Sequence, residues 1–149
     1  MKKYNLTLCA LLLVTSLFAI EPFKFAFLTD IHISNSNPKP LEDLQRSVDD
    51  INSLNDISFV LVSGDITEGG DRLAMENVKA QLDRLKIPYY ATSGNHETTW
   101  SESGVQDFSR VFGDNRFQFS YNGIYFLGFN SGPVIRMADG HVAPQDIDW

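Results

Sequence analysis

The chain has 149 residues, a formal charge of −7 and a 43% hydrophobic composition. That is the length of one domain, with enough apolar material for a core, which excludes a disordered chain. The acidic balance excludes a protein that grips DNA or RNA through its overall field, and an anionic substrate would need bound cations to reverse that field locally.

The first stretch, MKKYNLTLCALLLVTSLFAI, puts Lys2 and Lys3 ahead of an apolar run from Leu6 to Ile20. This is the layout of a secretory signal peptide, and the run is short for a membrane span. Residues 1–20 are therefore read as a leader cut near Ala19, although Leu17 is bulkier than the residue expected two places before a cut. The reading places the protein in the periplasm, at the cell surface or outside the cell, with no stable membrane span once the leader is gone. An uncleaved membrane anchor is the alternative. Removing Lys2 and Lys3 takes the charge from −7 to −9. The single cysteine, Cys9, falls inside this stretch, so neither an internal disulfide nor a cysteine-built zinc site is expected. Bulky Leu8 before it, and the apolar run after it, argue against lipidation at Cys9.

FKFAFLTDIH, residues 23–32, reads as a buried strand that ends in polar groups. A loop with Ser34, Asn35, Asn37, Pro38 and Pro40 follows. Leu41, Leu44, Val48, Ile51 and Leu54 recur at spacings of three and four and predict an amphipathic helix. ISFVLVSGD, residues 57–65, is apolar throughout until its end, as strands covered on both faces of a parallel sheet are. After Gly69 and Gly70, a second helix is marked by Met75, Val78, Leu82 and Leu85, with Asp71 as its N-cap and Ile87-Pro88 as its stop. A third strand runs over Pro88–Ser93. Three strand–helix units in a row predict an α/β layout. Val105, Phe108, Val111 and Phe112 predict a short helix closed by Gly113. RFQFSYNGIYFLGFNS then alternates on either side of Asn122-Gly123, a strong hairpin signal, and is expected to add antiparallel strands to the sheet. Its aromatic residues are read as core rather than as a nucleic-acid stacking platform. Pro144-Gln145-Asp146 reads as a helix entry. No repeat, linker or nucleotide-binding glycine motif is present.

The chemistry gathers where the three strands end. The first ends in Asp30-Ile31-His32, the second in Gly64-Asp65 with Glu68 beyond, and the third in Gly94-Asn95-His96-Glu97. Ligands collect at the carboxyl edge of open parallel sheets, so the three clusters are expected to converge. Their mixed oxygen and nitrogen donors suit divalent ions such as Mn, Fe or Zn. On a regular strand Asp30 and His32 would face one side and bind one ion. Asp65 could bridge to a second, and Asn95 offers that ion a neutral oxygen. Gly64 and Gly94 let the backbone come close. Trp100, just past the third cluster, is a candidate to line a substrate pocket.

DxH, GDxxE and GNHE in this order, about thirty residues apart by count along the sequence, resemble the motifs of the calcineurin-like metallophosphoesterases. The resemblance runs from about Phe23 to Trp149. It implies a mixed β-sandwich flanked by helices and a dinuclear metal centre, with Asp30, His32, Asp65 and Asn95 as ligands. It implies that His96 assists the leaving oxygen and that Glu97 orients His96 through a hydrogen bond. The purple acid phosphatases of the same broad group have DxG and a tyrosine where this chain has His32 and Glu68, so that subgroup is excluded.

The family completes its centre with a lone His and a GHxH motif. Here the only later histidine is His141, in ADGHVAP, read as a loop residue. Residues 21–149 are thus expected to form the N-terminal part of a phosphoesterase domain, a fragment with one face of its hairpin uncovered. The expected function is hydrolysis of small-molecule phosphate mono- or diesters through two divalent ions, incomplete in this chain. The alternative is a non-catalytic remnant that binds at most one metal weakly.

Overall fold

A computed structural model describes residues 21–132 and 139–149. The leader read over residues 1–20, Cys9 included, lies outside the described residues. In chain order the elements are β1 (Lys24–Leu28), α1 (Lys39–Ser53), β2 (Ile57–Ser63), α2 (Arg72–Leu82), β3 (Tyr89–Thr92), α3 (Asn95–Thr98), α4 (Gln106–Phe112), β4 (Phe117–Tyr121), β5 (Ile124–Gly128) and α5 (Pro144–Ile147). Among the described residues no helix is long and apolar enough to cross a membrane.

The three strand–helix units fold as the apolar spacing requires. Leu44, Val48 and Ile51 of α1, and Ala74, Met75, Val78 and Leu82 of α2, are the buried stripes. Asp71 caps α2 by accepting a 2.9 Å hydrogen bond from the Ala74 amide. α2 stops at Leu82, three residues before the stripe does. Leu85 sits in the following turn and still packs on the core.

β2 is the central strand of a parallel sheet ordered β1-β2-β3. The register sets Ala26 beside Val60 and Val60 beside Tyr89, and likewise Leu28, Val62 and Ala91. Because strand side chains alternate, these two rows share one face and meet the helices. Val60, Met75, Val78 and Leu82 are wholly enclosed there, and each contributes roughly 1.5–3 kcal/mol by leaving water.

The opposite face carries rings. Phe59, 2% exposed, stacks on Phe25 at 5.2 Å and meets Phe119 and Phe126 of the hairpin edge-on, each at 5.0 Å. Tyr90 stacks on Phe119 at 3.8 Å. The hairpin turns at Asn122 and Gly123, whose φ values of 47° and 78° are the positive angles a type I′ turn needs. Helices on one face and a hairpin on the other make the expected α/β sandwich.

Three sequence expectations are corrected. The hairpin does not extend the parallel sheet; it is a separate two-stranded antiparallel sheet held face-on by aromatic contacts. β1 is not covered on both sides: it is an edge strand, and Phe25 and Phe27 are 41% and 57% exposed. Asp30 and His32 lie beyond the end of β1, at φ 53° and 51°, so strand alternation does not align them. The outer hairpin face is open, with Tyr125 79% and Leu127 63% exposed.

Candidate metal centre

The carboxyl ends of β1, β2 and β3 do converge, and backbone contacts join the loops that follow. The His32 amide donates to the Asp65 carbonyl at 3.0 Å and the Ile33 amide to that of Ile66 at 3.0 Å. The Glu68 amide returns to the Ile33 carbonyl at 2.9 Å. Asp65 adopts φ 47°, so Asp30, His32 and Asp65 all occupy the left-handed region that Asp, Asn and His enter more readily than other side chains. Gly94 permits the approach of the second and third loops: a Cβ there would lie 2.2 Å from Asp65 Oδ1 and 2.4 Å from the Asp65 amide nitrogen. At Gly64, φ is +73° and a Cβ would meet the Gly94 Cα at 2.6 Å. Both positions admit only glycine without a shift.

His32, Asp65 and His96 each present a ligand atom, and these atoms lie within 4.8 Å of one another. The His32 and His96 rings stand nearly perpendicular, centroids 4.6 Å apart. Asp65 Oδ1 also accepts the His96 amide at 3.1 Å. Asp30 adjoins the cluster, with Oδ1 3.8 Å from His32 Nε2, and its Oδ2 accepts the Thr29 hydroxyl at 2.5 Å. Asn95 opens α3 and is exposed. His141 lies in a loop, its amide bonded to the Ser131 carbonyl at 3.2 Å, and is not a member of the cluster.

The donors suit a cation. His32 Nδ1 is buried without a hydrogen-bond partner among the described residues. Glu68 Oε2 comes within 3.1 Å of it, but off the direction a ring N–H would take. A buried, unpartnered imidazole nitrogen costs free energy unless something meets it. Two imidazoles and a carboxylate are the donor set of first-row divalent ions. The sequence assigns His96 to the leaving oxygen and not to the ligands; the structure brings its ring into the cluster. The signal was present in its adjacency to Asn95, but only the turn into α3 swings its ring toward His32.

Glu97 requires a correction. It was expected to hydrogen-bond His96, yet it is fully buried and its oxygens are taken elsewhere. Oε1 accepts the Thr67 amide at 2.9 Å and the Thr67 hydroxyl at 2.7 Å, and Oε2 accepts the Gly94 amide at 2.9 Å. Glu97 therefore ties the loop after β2 to the loop after β3, from below the cluster. His96 is oriented by the Glu68 carbonyl, 2.6 Å from Nδ1. A carbonyl only accepts, so Nδ1 carries the hydrogen and Nε2 is left to meet a ligand. Nothing in the residue types marked Thr67 or the Glu68 carbonyl for these parts.

Comparison with known proteins gives the family. Residues 23–148 match the model of a family described as calcineurin-like phosphoesterase. A probable cyclic nucleotide phosphodiesterase of Xenorhabdus bovienii is 32% identical over 83 residues, covering 50% of this chain and 34% of that protein. A 3′,5′-cyclic-nucleotide phosphodiesterase of Nostoc sp. is 23% identical over 135 residues, covering 86% and 50%. A probable cyclic nucleotide phosphodiesterase of Rhodopseudomonas palustris is 35% identical over 80 residues, covering 50% and 29%. The chain spans half or less of the length of these relatives.

Proposed function

The chain belongs to the calcineurin-like phosphoesterase family, and from that premise we propose that it carries the metal-binding half of a site that hydrolyses small phosphate esters, cyclic nucleotides among them. The observation that supports this most is the meeting of His32, Asp65 and His96 at the edge of the parallel sheet. We further propose that Asp30, His32 and Asp65 hold one divalent ion and that Asp65 and Asn95 reach a second. When bound, such ions neutralise phosphoryl charge and activate water. The other parts belong to the chain. Asp65 is fixed by its bond to the His96 amide, so its carboxylate cannot swing away when an anion arrives. His96, with Nδ1 engaged by Glu68, directs Nε2 at the site; protonated there, it donates to the oxygen that leaves. Domain boundaries near residue 21 and export by a cleaved leader remain part of the same proposal; mass spectrometry of the exported protein, showing the first twenty or so residues intact, would remove the cleavage, and recovery of the protein only from the cytoplasm would remove the export.

The test has two arms. Calorimetric titration with Mn²⁺ gives the number of ions held, two being expected; a single ion bound through His32, Asp65 and His96 would sink the dinuclear assignment. Hydrolysis of bis-p-nitrophenyl phosphate and of 3′,5′-cyclic AMP is then followed with and without chelator. Ions bound but no chelator-sensitive turnover would support the second reading, a metal-binding chain without catalysis. That reading is favoured by the small size of the described cluster, three candidate ligand residues.

A further inference from the structure

We infer that Trp100 is a stacking platform for a planar aromatic group of the ester, a nucleobase or an aryl ring, held beside the metal centre. The inference rests on the phosphoesterase reading above and adds the class of ester to it. Trp100 lies a few residues after the His96 motif, and its ring centroid is 6.2 Å from that of His96 at an interplanar angle of 51°. Trp100 is 65% exposed. Phe108, by contrast, is wholly buried and stacked on Phe112 at 4.9 Å, which is what an aromatic residue does when its task is packing.

The exposed ring stands on a fixed backbone. Gly70, at φ +66°, passes so close that a Cβ would lie 2.5 Å from the His96 carbonyl oxygen and 2.6 Å from Ser101 Cβ. The chain is therefore pinned on both sides of Trp100. Ser101 is itself 4% exposed and its hydroxyl pairs with that of Ser103 at 3.1 Å. A large apolar surface kept in water on a rigid support forgoes the stabilisation burial would give. It is pre-organised for a flat ligand, with little ordering left to do on binding. Stacking also suits a chain of formal charge −7, because it holds an anionic ester by its neutral part.

The chain has two tryptophans, Trp100 and Trp149. Trp149 lies over Arg116, 5.5 Å from the guanidinium carbon, so Trp149→Phe leaves Trp100 as the sole fluorescent indole. This variant, supplied with Mn²⁺, is titrated with adenosine 5′-phosphate and with ribose 5-phosphate, by calorimetry and by emission in parallel. Both should bind, and only the adenosine compound should quench the indole. Adding Trp100→Ala should weaken the adenosine compound about five- to a hundredfold, the range of one base–aromatic stack, and leave ribose 5-phosphate unchanged. Trp100→Phe should recover most of the loss. If both phosphates bind alike without an emission response, or if Trp100→Ala weakens both equally, the stacking role is wrong and the phosphoester reading survives. If neither phosphate binds, the phosphoester reading fails and the platform fails with it.

Discussion

Replacing Glu97 by glutamine keeps the shape of the side chain and breaks its hydrogen-bond pattern. The carboxylate receives three donors: the Thr67 amide and hydroxyl on Oε1, and the Gly94 amide on Oε2. A glutamine has one oxygen. If that oxygen faces Thr67, its NH₂ confronts the Gly94 amide, donor against donor. If it faces Gly94, the Thr67 amide is stranded instead. The Thr67 hydroxyl already accepts the Gly70 amide at 3.0 Å, so reorganising it disturbs the rest of the loop after β2. Either way one fully buried N–H is left without an acceptor. An unsatisfied buried donor costs about 1–3 kcal/mol, and the remaining bonds lose their charge assistance, so roughly 2–4 kcal/mol is expected. With a urea slope near the small-protein range, the unfolding midpoint should fall by about 1–2 M. Thr67→Val in the same background should then cost much less than it does alone, because the two groups act as one unit. A Glu97→Gln protein that unfolds at the parental urea concentration, and holds Mn²⁺ with parental affinity, would refute the claim that Glu97 locks the two loops.

Further outcomes follow from the same geometry. Gly94→Ala should lose about 1–3 kcal/mol by urea unfolding and should also lose Mn²⁺ binding, because the new Cβ would sit 2.2 Å from Asp65 Oδ1; wild-type binding would show that the loops can separate freely. Asp65→Asn should weaken Mn²⁺ by at least about tenfold, the scale at which even loss of a supporting partner is felt. His32→Gly should be more stable than His32→Ala without metal by about 1 kcal/mol, since φ is 51° there; equal stabilities would mean no strain is held. Asp83 is kept below the usual carboxylate range, first by its hydrogen bond with Lys79 and then by the Tyr89 hydroxyl. A lowered pKa stabilises above the unfolded value, about pH 4, and that contribution is lost as pH falls through the folded value. Asp83→Asn should therefore cost roughly 0.3–1 kcal/mol at neutral pH, discounted for the half-exposed carboxylate, and nothing in strong acid.

The α/β order was legible because Leu44, Val48 and Ile51, and Met75, Val78 and Leu82, repeat at helical spacing while ISFVLVS does not. Asp71 and Asn122-Gly123 announced a cap and a turn through local chemistry alone. What failed was non-local. Whether the hairpin joins the sheet edge or lies across its face depends on how Phe59 and Tyr90 receive Phe119 and Phe126, and both arrangements share one alternating pattern. The motifs located the cluster, but not every residue that meets in it. His96 enters the described cluster because α3 begins at Asn95, and Glu97 turns inward for the same reason, one residue further round the helix.

The left-handed residues explain why the site needs such a clamp. Asp30, His32 and Asp65 each turn the chain abruptly at a strand end, which brings side chains from different strands together where straight continuation would carry them apart. Each such turn costs a non-glycine residue on the order of 1 kcal/mol and persists only if its surroundings overdetermine it. The surroundings here are the backbone bonds from His32 to Asp65 and from Ile33 to Ile66, the glycine contact at Gly94, and the buried carboxylate of Glu97. None of these groups needs a ligand to form. The geometry is therefore held by the fold, and a cation that reaches His32 and Asp65 meets donors already turned toward it instead of having to order them.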